Sequence, residues 1–266
     1  MSTDQLIAVL WAIATAFAIV VSCYFVERML PSERDAGVGA RLESLLLFLL
    51  NGLLLAAISP MLGDVVVALP SLRLLGQIGA LTWLPAALRT VVLIVVYALV
   101  WDFFQYWVHR AEHHFDFLWR FHRTHHDDVS MTSATATRQS IGGSLISVAG
   151  VHLPTVCILG YEGLPYIGGV ILFSAWGYYN HANVQIGVPG LDGFISGPNV
   201  HRLHHVHATH LYGRNLAAFF TFYDRLFGTY APVSRDRVST RSPYPVQFGL
   251  RRVVSSWLSL GSDPHQ

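Results

Sequence analysis

The chain has 266 residues, of which 53% are hydrophobic and 12% charged, with a formal net charge of +1 and a mean hydropathy of +0.44. That balance excludes an ordinary soluble domain and favours a membrane protein. All 17 basic residues are arginine and form no stripe interleaved with aromatics, which excludes nucleic acid as a partner, while Cys23 and Cys157 sit in apolar runs and offer no disulfide framework.

The first apolar run, "LIAVLWAIATAFAIVVSCYFV" (6–26), has Asp4 as its only charged forerunner and is long enough to cross a bilayer, so it is predicted to be a retained transmembrane helix and not a signal peptide. Four further runs follow at 44–68, 86–108, 141–160 and 163–181. Ser59-Pro60 and Gly63 are expected to break or kink the second. Gly160 to Pro165 reads as a tight turn joining the last two into a hairpin that need not span completely. The aromatic strings "WDFFQYW" and "WGYYN" are read as an interfacial belt. The expectation is an all-α membrane protein of one domain with four to five hydrophobic helices. Its regions are an N-terminal transmembrane part (1–94), a histidine-bearing part (95–232) and a C-terminal tail (233–266).

Arg28, Arg34 and Arg41 follow the first run, Arg110 to Arg138 follow the third, and eight more arginines lie beyond residue 200, whereas Arg73 and Arg89 fall on the other side. The positive-inside rule then places the amino terminus outside and the histidines on the cytoplasmic side. The lack of lysine fits a high-GC bacterial genome, hence a bacterial inner membrane.

Twelve of the 14 histidines fall in four places: "HRAEHH" (His109, His113, His114), "HRTHH" (His122, His125, His126), His181 in "NHANV", and "HRLHHVHATH" (His201, His204, His205, His207, His210). On a helix, offsets of three and four return to one face, so His109 with His113, and each triplet, are expected to aim at a common point. His109 closes the third run and His181 the fifth, so the clusters can meet at one membrane boundary. Nine imidazoles (His109, His113, His122, His125, His126, His181, His201, His204, His205) exceed one tetrahedral zinc and fit two ions of higher coordination; iron, zinc, copper and nickel all accept imidazole. His114, His207 and His210 are left open between ligand, ligand support and interfacial polar residue. His152 and His265 are not expected to bind metal.

Ligand histidines commonly give their second ring N–H to a carboxylate. Asp102 lies seven residues before His109, Glu112, Asp127 and Asp128 adjoin the boxes, and Asp224 lies in "NLAAFFTFYDRLFGTY". An acid at a membrane boundary is costly without a partner, which singles out Asp102. Arg138 and the arginines inside the boxes are expected to meet phospholipid headgroups or pair with these acids.

With "HRAEH" as an H-x3-H box, "HRTHH" and "HRLHH" as two H-x2-HH boxes, "HANV" between them and "FYDRLFGTY" near the carboxyl end, the sequence resembles the fatty acid hydroxylase and sterol desaturase superfamily over residues 95–232. It departs where Arg138 leads into Gln139 and Ser140 in place of a His-Pro element and an acid. The resemblance implies a membrane helical bundle capped by a cytosolic, catalytic helical region, with the nine histidines holding two iron ions that zinc can replace on purification. It also implies dioxygen as co-substrate and a C–H bond of a membrane lipid as target, hydroxylated or desaturated. No flavin or dinucleotide fingerprint, four-cysteine cluster or haem-attachment motif occurs, so electrons are expected from a separate ferredoxin or cytochrome with its reductase. The rivals are a zinc-dependent membrane hydrolase, which leaves half of the histidines unused and lacks H-E-x-x-H, a non-enzymatic metal-binding protein, and a bis-histidine haem protein.

Overall fold

A computed structural model describes residues 3–34, 37–80, 82–160, 164–186, 192–233, 239–241 and 249–260. Among them four helices are long and apolar enough to cross a membrane, and no strand occurs, only the isolated bridges Pro31 to Val184 and Ile195 to Phe220. In chain order the helices are α1 (Thr3–Met29), α2 (Val38–Ala68), α3 (Leu74–Gly79), α4 (Ala86–His114), α5 (Asp116–His126), α6 (Ile141–Ser147), α7 (Leu153–Leu159), α8 (Leu164–His181), α9 (Pro198–His204), α10 (Phe222–Phe227) and α11 (Leu250–Trp257). The spans are Leu10–Met29, α2, α4, and the continuous run Ile141–Leu159 formed by α6, a π-helical turn (Val148–His152) and α7.

Length decides what projects from the bilayer. At 1.5 Å per residue, α2 and α4 reach about 46 and 44 Å, against about 30 Å of hydrocarbon. The surplus of α2 is its amino-terminal end, where Arg41 and Glu43 are buried, and that of α4 is its carboxyl end, where His109, Glu112 and His113 are buried. Those two ends meet α5, α9, α10, α11 and their loops in a polar cap.

Proline acts differently in the two spans that contain it. The expected break at Ser59-Pro60 does not occur: α2 runs through Pro60, and the Ser59 hydroxyl donates to Ala56 O at 3.0 Å, supplying the hydrogen bond that the missing proline N–H cannot. In the fourth span Pro154 follows the π-helical turn, as expected when a lost backbone donor shifts the ladder register. A Cβ on Gly150 in that turn would lie 2.6 Å from Val108 Cγ2, so the turn packs backbone-close against α4.

The helices α7 and α8 both pack on α4. Residues 161–163, the middle of the expected tight turn, lie outside the described residues; Gly160 enters it at φ +80°. Much of the expected aromatic belt is interior. Tyr106 is fully buried and hydrogen-bonds Thr229, Trp101 stacks 4.1 Å from Phe173, Trp176 Nε1 donates to Ser196 O, and Tyr178 packs with Ala16 and Val20; of "WDFFQYW" only Phe103 and Trp107 are exposed. The reason is that α4 is central, so most of its faces meet protein.

Part of the stretch expected as a tail is structured. Along α11, Val253 is buried, Arg252 reaches Glu43 at 2.7 Å, Ser256 O accepts from the Thr124 hydroxyl, and Trp257 Nε1 donates to Asn51 Oδ1. The C-terminal helix therefore clamps α2 to the residue preceding His125. His265 lies outside the described residues.

Candidate metal centre

The nine histidines named from their spacing come together in two groups, within each of which the ligand nitrogens lie within 4.8 Å of one another. One group holds His109, His113, His122, His126 and His204; the other holds His125, His181, His201 and His205. The triplets do not aim at common points, as the spacing had suggested. Each i, i+4 pair stays together (His109 with His113, His122 with His126, His201 with His205), and the i+3 member, His125 or His204, joins the opposite group. Adjacent side chains on a helix diverge by about 100°, so His125 and His126 cannot face one ion.

Within the groups the Nε2 atoms approach each other closely: His109 to His122 at 3.0 Å, His122 to His126 at 3.2 Å, His126 to His204 at 3.1 Å, His125 to His181 at 3.1 Å, His181 to His201 at 3.0 Å, and His201 to His205 at 3.2 Å. Donors at right angles about an ion with bonds of about 2.1 Å stand about 3.0 Å apart, whereas tetrahedral donors stand about 3.4 Å apart. The spacing is nearer to that of donors at right angles than to that of tetrahedral donors.

The opposite ring nitrogens fix the tautomers. His109 Nδ1 donates to Leu216 O at 2.7 Å, His181 Nδ1 to Gly177 O at 2.7 Å, His204 Nδ1 to Arg214 O at 2.9 Å, and His125 Nδ1 to Arg138 O at 3.3 Å. His122 Nδ1 lies 3.1 Å from Glu112 Oε2. A ring that donates from Nδ1 while neutral presents a lone pair at Nε2. His109 and His122 then face each other lone pair to lone pair, as do His125 and His181, one such contact in each group. Both nitrogens of buried His113 are without a hydrogen-bond partner. Facing lone pairs and an orphaned buried imidazole are what a cation would satisfy, so the residues fit two metal ions. Burial, reinforced by neighbouring imidazoles, holds His125, His126, His201 and His205 well below the ordinary imidazole range and takes His204 down to about 3. These rings are thus neutral at neutral pH and able to act as ligands.

Of the five acids, Glu112 meets one of the nine clustered rings, His122, directly. Asp102 instead accepts from the backbone N–H groups of Ala218 (3.0 Å), Phe219 (3.2 and 3.3 Å) and Phe220 (2.6 Å). Asp224 accepts from the N–H groups of Leu216 and Ala217 and from the Thr229 hydroxyl. Both carboxylates serve the loop whose Leu216 carbonyl orients His109, because α4 presents Asp102 to backbone donors that no strand or helix satisfies. Asp128 accepts from Val129 N and Thr135 Oγ1, and exposed Asp127 lies 3.8 Å from Arg252. His114, His207 and His210 are exposed and belong to neither group, and His152 stands edge-on to Trp101 in the fourth span.

The cap is also held by ion pairs that the box spacing does not reveal. Arg138, fully buried, reaches Glu43 at 2.8 Å; Arg202 reaches Glu33 at 2.8 Å; Arg41 reaches Glu27 at 2.6 Å. Glu27 further accepts from the N–H groups of Ser133 and Asn183. Arg138 and Arg202 thus pair with acids and not with headgroups. Acids at the ends of apolar runs were the available signal for Glu27 and Glu43, whereas the carbonyls of Leu216, Gly177 and Arg214 leave no mark in a sequence.

Four membrane-length helices with nine clustered histidines at one end define an integral-membrane protein with a histidine-rich cap able to bind metal. The chain belongs to the fatty acid hydroxylase family, whose pattern matches residues 94–229. It is similar to alkylglycerol monooxygenase of Xenopus tropicalis, 26% identical over 170 residues covering 61% of this chain and 37% of that protein. It is similar also to ornithine lipid hydroxylase OlsE of Rhizobium tropici, 31% identical over 52% of this chain and 41% of that protein. Methylsterol monooxygenase 1-3 of Arabidopsis thaliana is 28% identical over 62% of this chain and 56% of that protein. The chain spans between about a third and somewhat over half of these relatives' lengths. No solved structure matches it.

Proposed function

We propose that the protein is a diiron oxidoreductase of the membrane, which uses dioxygen and external electrons to hydroxylate, or desaturate, a C–H bond of a membrane lipid. The observation that carries this reading is the pair of lone-pair contacts, His109 to His122 and His125 to His181, one in each of two adjoining imidazole groups at the end of a membrane span. The relatives' names, each a lipid monooxygenase or hydroxylase, support the substrate class.

Two iron ions would be held by the five-histidine and four-histidine groups, and when bound they would supply the oxidising power for an unactivated C–H bond. The chain supplies the rest. The carbonyls of Leu216, Gly177, Arg214 and Arg138 hold the Nδ1 protons of His109, His181, His204 and His125 outward and so keep the Nε2 atoms of these four neutral rings unprotonated. Glu112 places one anionic charge against the five-histidine group, which sets the two positions electrostatically apart. Burial excludes bulk water from the reacting carbon. The position of His109, at the end of the α4 span, lets a lipid present that carbon without leaving the bilayer. The arginine distribution supports a cytoplasmic cap, where a ferredoxin or a cytochrome with its reductase would deliver electrons.

The test is elemental analysis of detergent-purified chain with the His125→Ala and His204→Ala variants, followed by lipid profiling under labelled dioxygen. About two irons per chain, diminished in both variants, and one labelled oxygen in a hydroxylated lipid or an oxygen-dependent alkene are expected. Stoichiometric zinc with no oxygen-dependent product after ferrous reconstitution would move the protein to the hydrolase or metal-carrier classes.

A further inference from the structure

We propose that Trp119 and Tyr212 form an electron-supply path that reduces the oxidised metal centre from the surface when no C–H bond is within reach, a proposal that rests on the diiron reading above. Among the described residues, these are the non-histidine rings in contact with the nine clustered imidazoles. Trp119 stands 5.1 Å from His113, 5.3 Å from His126 and 6.1 Å from His122, and Tyr212 stands 5.1 Å from His113 and 5.4 Å from Trp119. Every one of those contacts falls on the five-histidine group. The path is therefore polarised, with one end on one metal position and the other in solvent, since Tyr212 is 49% exposed. It also points away from the bilayer, because His113 lies one turn beyond His109 towards the free end of α4.

The residue types argue for redox over shielding. Indole and phenol are the aromatic side chains that lose an electron most readily, and a half-exposed tyrosine is a poor water seal. Phenylalanine would cover the same surface, and the start of α5 does expose Phe115 and Phe117. Here the two positions that touch imidazoles carry the two oxidisable rings.

The electron balance shows when the path is needed. Taking dioxygen to two waters requires four electrons and four protons, and two of the electrons come from the ferrous pair becoming ferric. With no lipid to oxidise and no donor bound, the other two are drawn one each from Trp119 and Tyr212. Each ring also gives up its N–H or O–H proton, and solvent supplies the remaining two protons. A low-molecular-weight thiol at the surface then restores both rings, two RSH giving one RSSR as each radical regains an electron and a proton. Without this path the same oxidising equivalents fall on the ligand imidazoles.

The test uses the full chain in lipid-free detergent, loaded anaerobically with ferrous iron, its iron counted, then mixed with dioxygen and freeze-quenched for electron paramagnetic resonance. An organic radical is expected that narrows when the protein carries ring-deuterated tyrosine and that loses this component in Tyr212→Phe. The Trp119→Phe/Tyr212→Phe double variant should bind iron as before, show no radical, and after repeated cycles gain oxygen on ligand histidines by peptide mass spectrometry. A chain that binds two irons and oxidises them without a radical, or whose tyrosine radical persists in Tyr212→Phe, overturns this proposal alone. A chain that binds no iron overturns the diiron reading and this proposal with it.

Discussion

His125 Nε2 lies 3.1 Å from His181 Nε2, joining the second histidine box to the end of α8 across 56 residues. Each ring donates its Nδ1–H to a backbone carbonyl, so two lone pairs are held face to face. A cation between the two nitrogens would relieve that repulsion.

The two groups should therefore load and unload separately. His181→Ala leaves three imidazoles in its group, and His204→Ala leaves four in the other. The first variant should yield one ion per chain to a chelator that leaves the wild type loaded, and the second should yield less under the same conditions. Metal counted along a chelator titration decides it; simultaneous loss of both ions in either variant would show that the groups are one cooperative site.

Asp102 is expected to act through the backbone. Replacing it by alanine leaves three part-buried amide donors at Ala218 to Phe220 without their acceptor, costing roughly 1–3 kcal/mol, and frees the loop that orients His109. Thermal unfolding should fall markedly, with weakened metal retention in the five-histidine group; Asp102→Asn, which keeps one acceptor oxygen, should fall between. An unchanged melting temperature in Asp102→Ala would rule this role out.

Glu43 stands between Arg138 and Arg252. Glu43→Ala strands the fully buried Arg138 guanidinium, at a cost of about 3–5 kcal/mol. Arg252→Ala leaves the inner pair in place and should cost less. Unfolding of the two variants side by side checks the order, and a larger loss in Arg252→Ala would contradict it.

Acid should destabilise the metal-free protein. In the unfolded chain these histidines titrate near 6.5, whereas in the fold His204 is held down to about 3 and His125, His126, His201 and His205 well below their usual range. The unfolded state therefore binds more protons as pH falls below about 6.5, and stability falls with it. The contribution of the neutral rings is fully present above that pH and is lost progressively towards about 3 for His204. Melting temperatures of chelator-treated protein between pH 7.5 and 5 should decline steeply; a flat profile would mean that the rings are not buried neutral.

The sequence by itself determined the class of the molecule and the histidines of its candidate site. Four of its apolar runs are long enough to form spans, and histidines at offsets of three and four near the ends of those runs can gather at one boundary. These properties are local, set by hydrocarbon thickness and by the 3.6-residue period of the helix, and so they are legible along the chain. The division of labour among the same residues was decided by tertiary structure. Which of His125 and His126 joins which group depends on where α8 and α9 bring His181, His201 and His204. Asp102 serves backbone amides because the 216–220 loop lies over α4, and Glu43 meets Arg138 because α2 projects beyond the bilayer. Likewise α11, in a stretch without a long apolar run, is held by Asn51, Glu43 and Thr124 from two other helices. Such contacts join residues far apart in the chain and involve main-chain carbonyls common to every residue, so packing alone selects them.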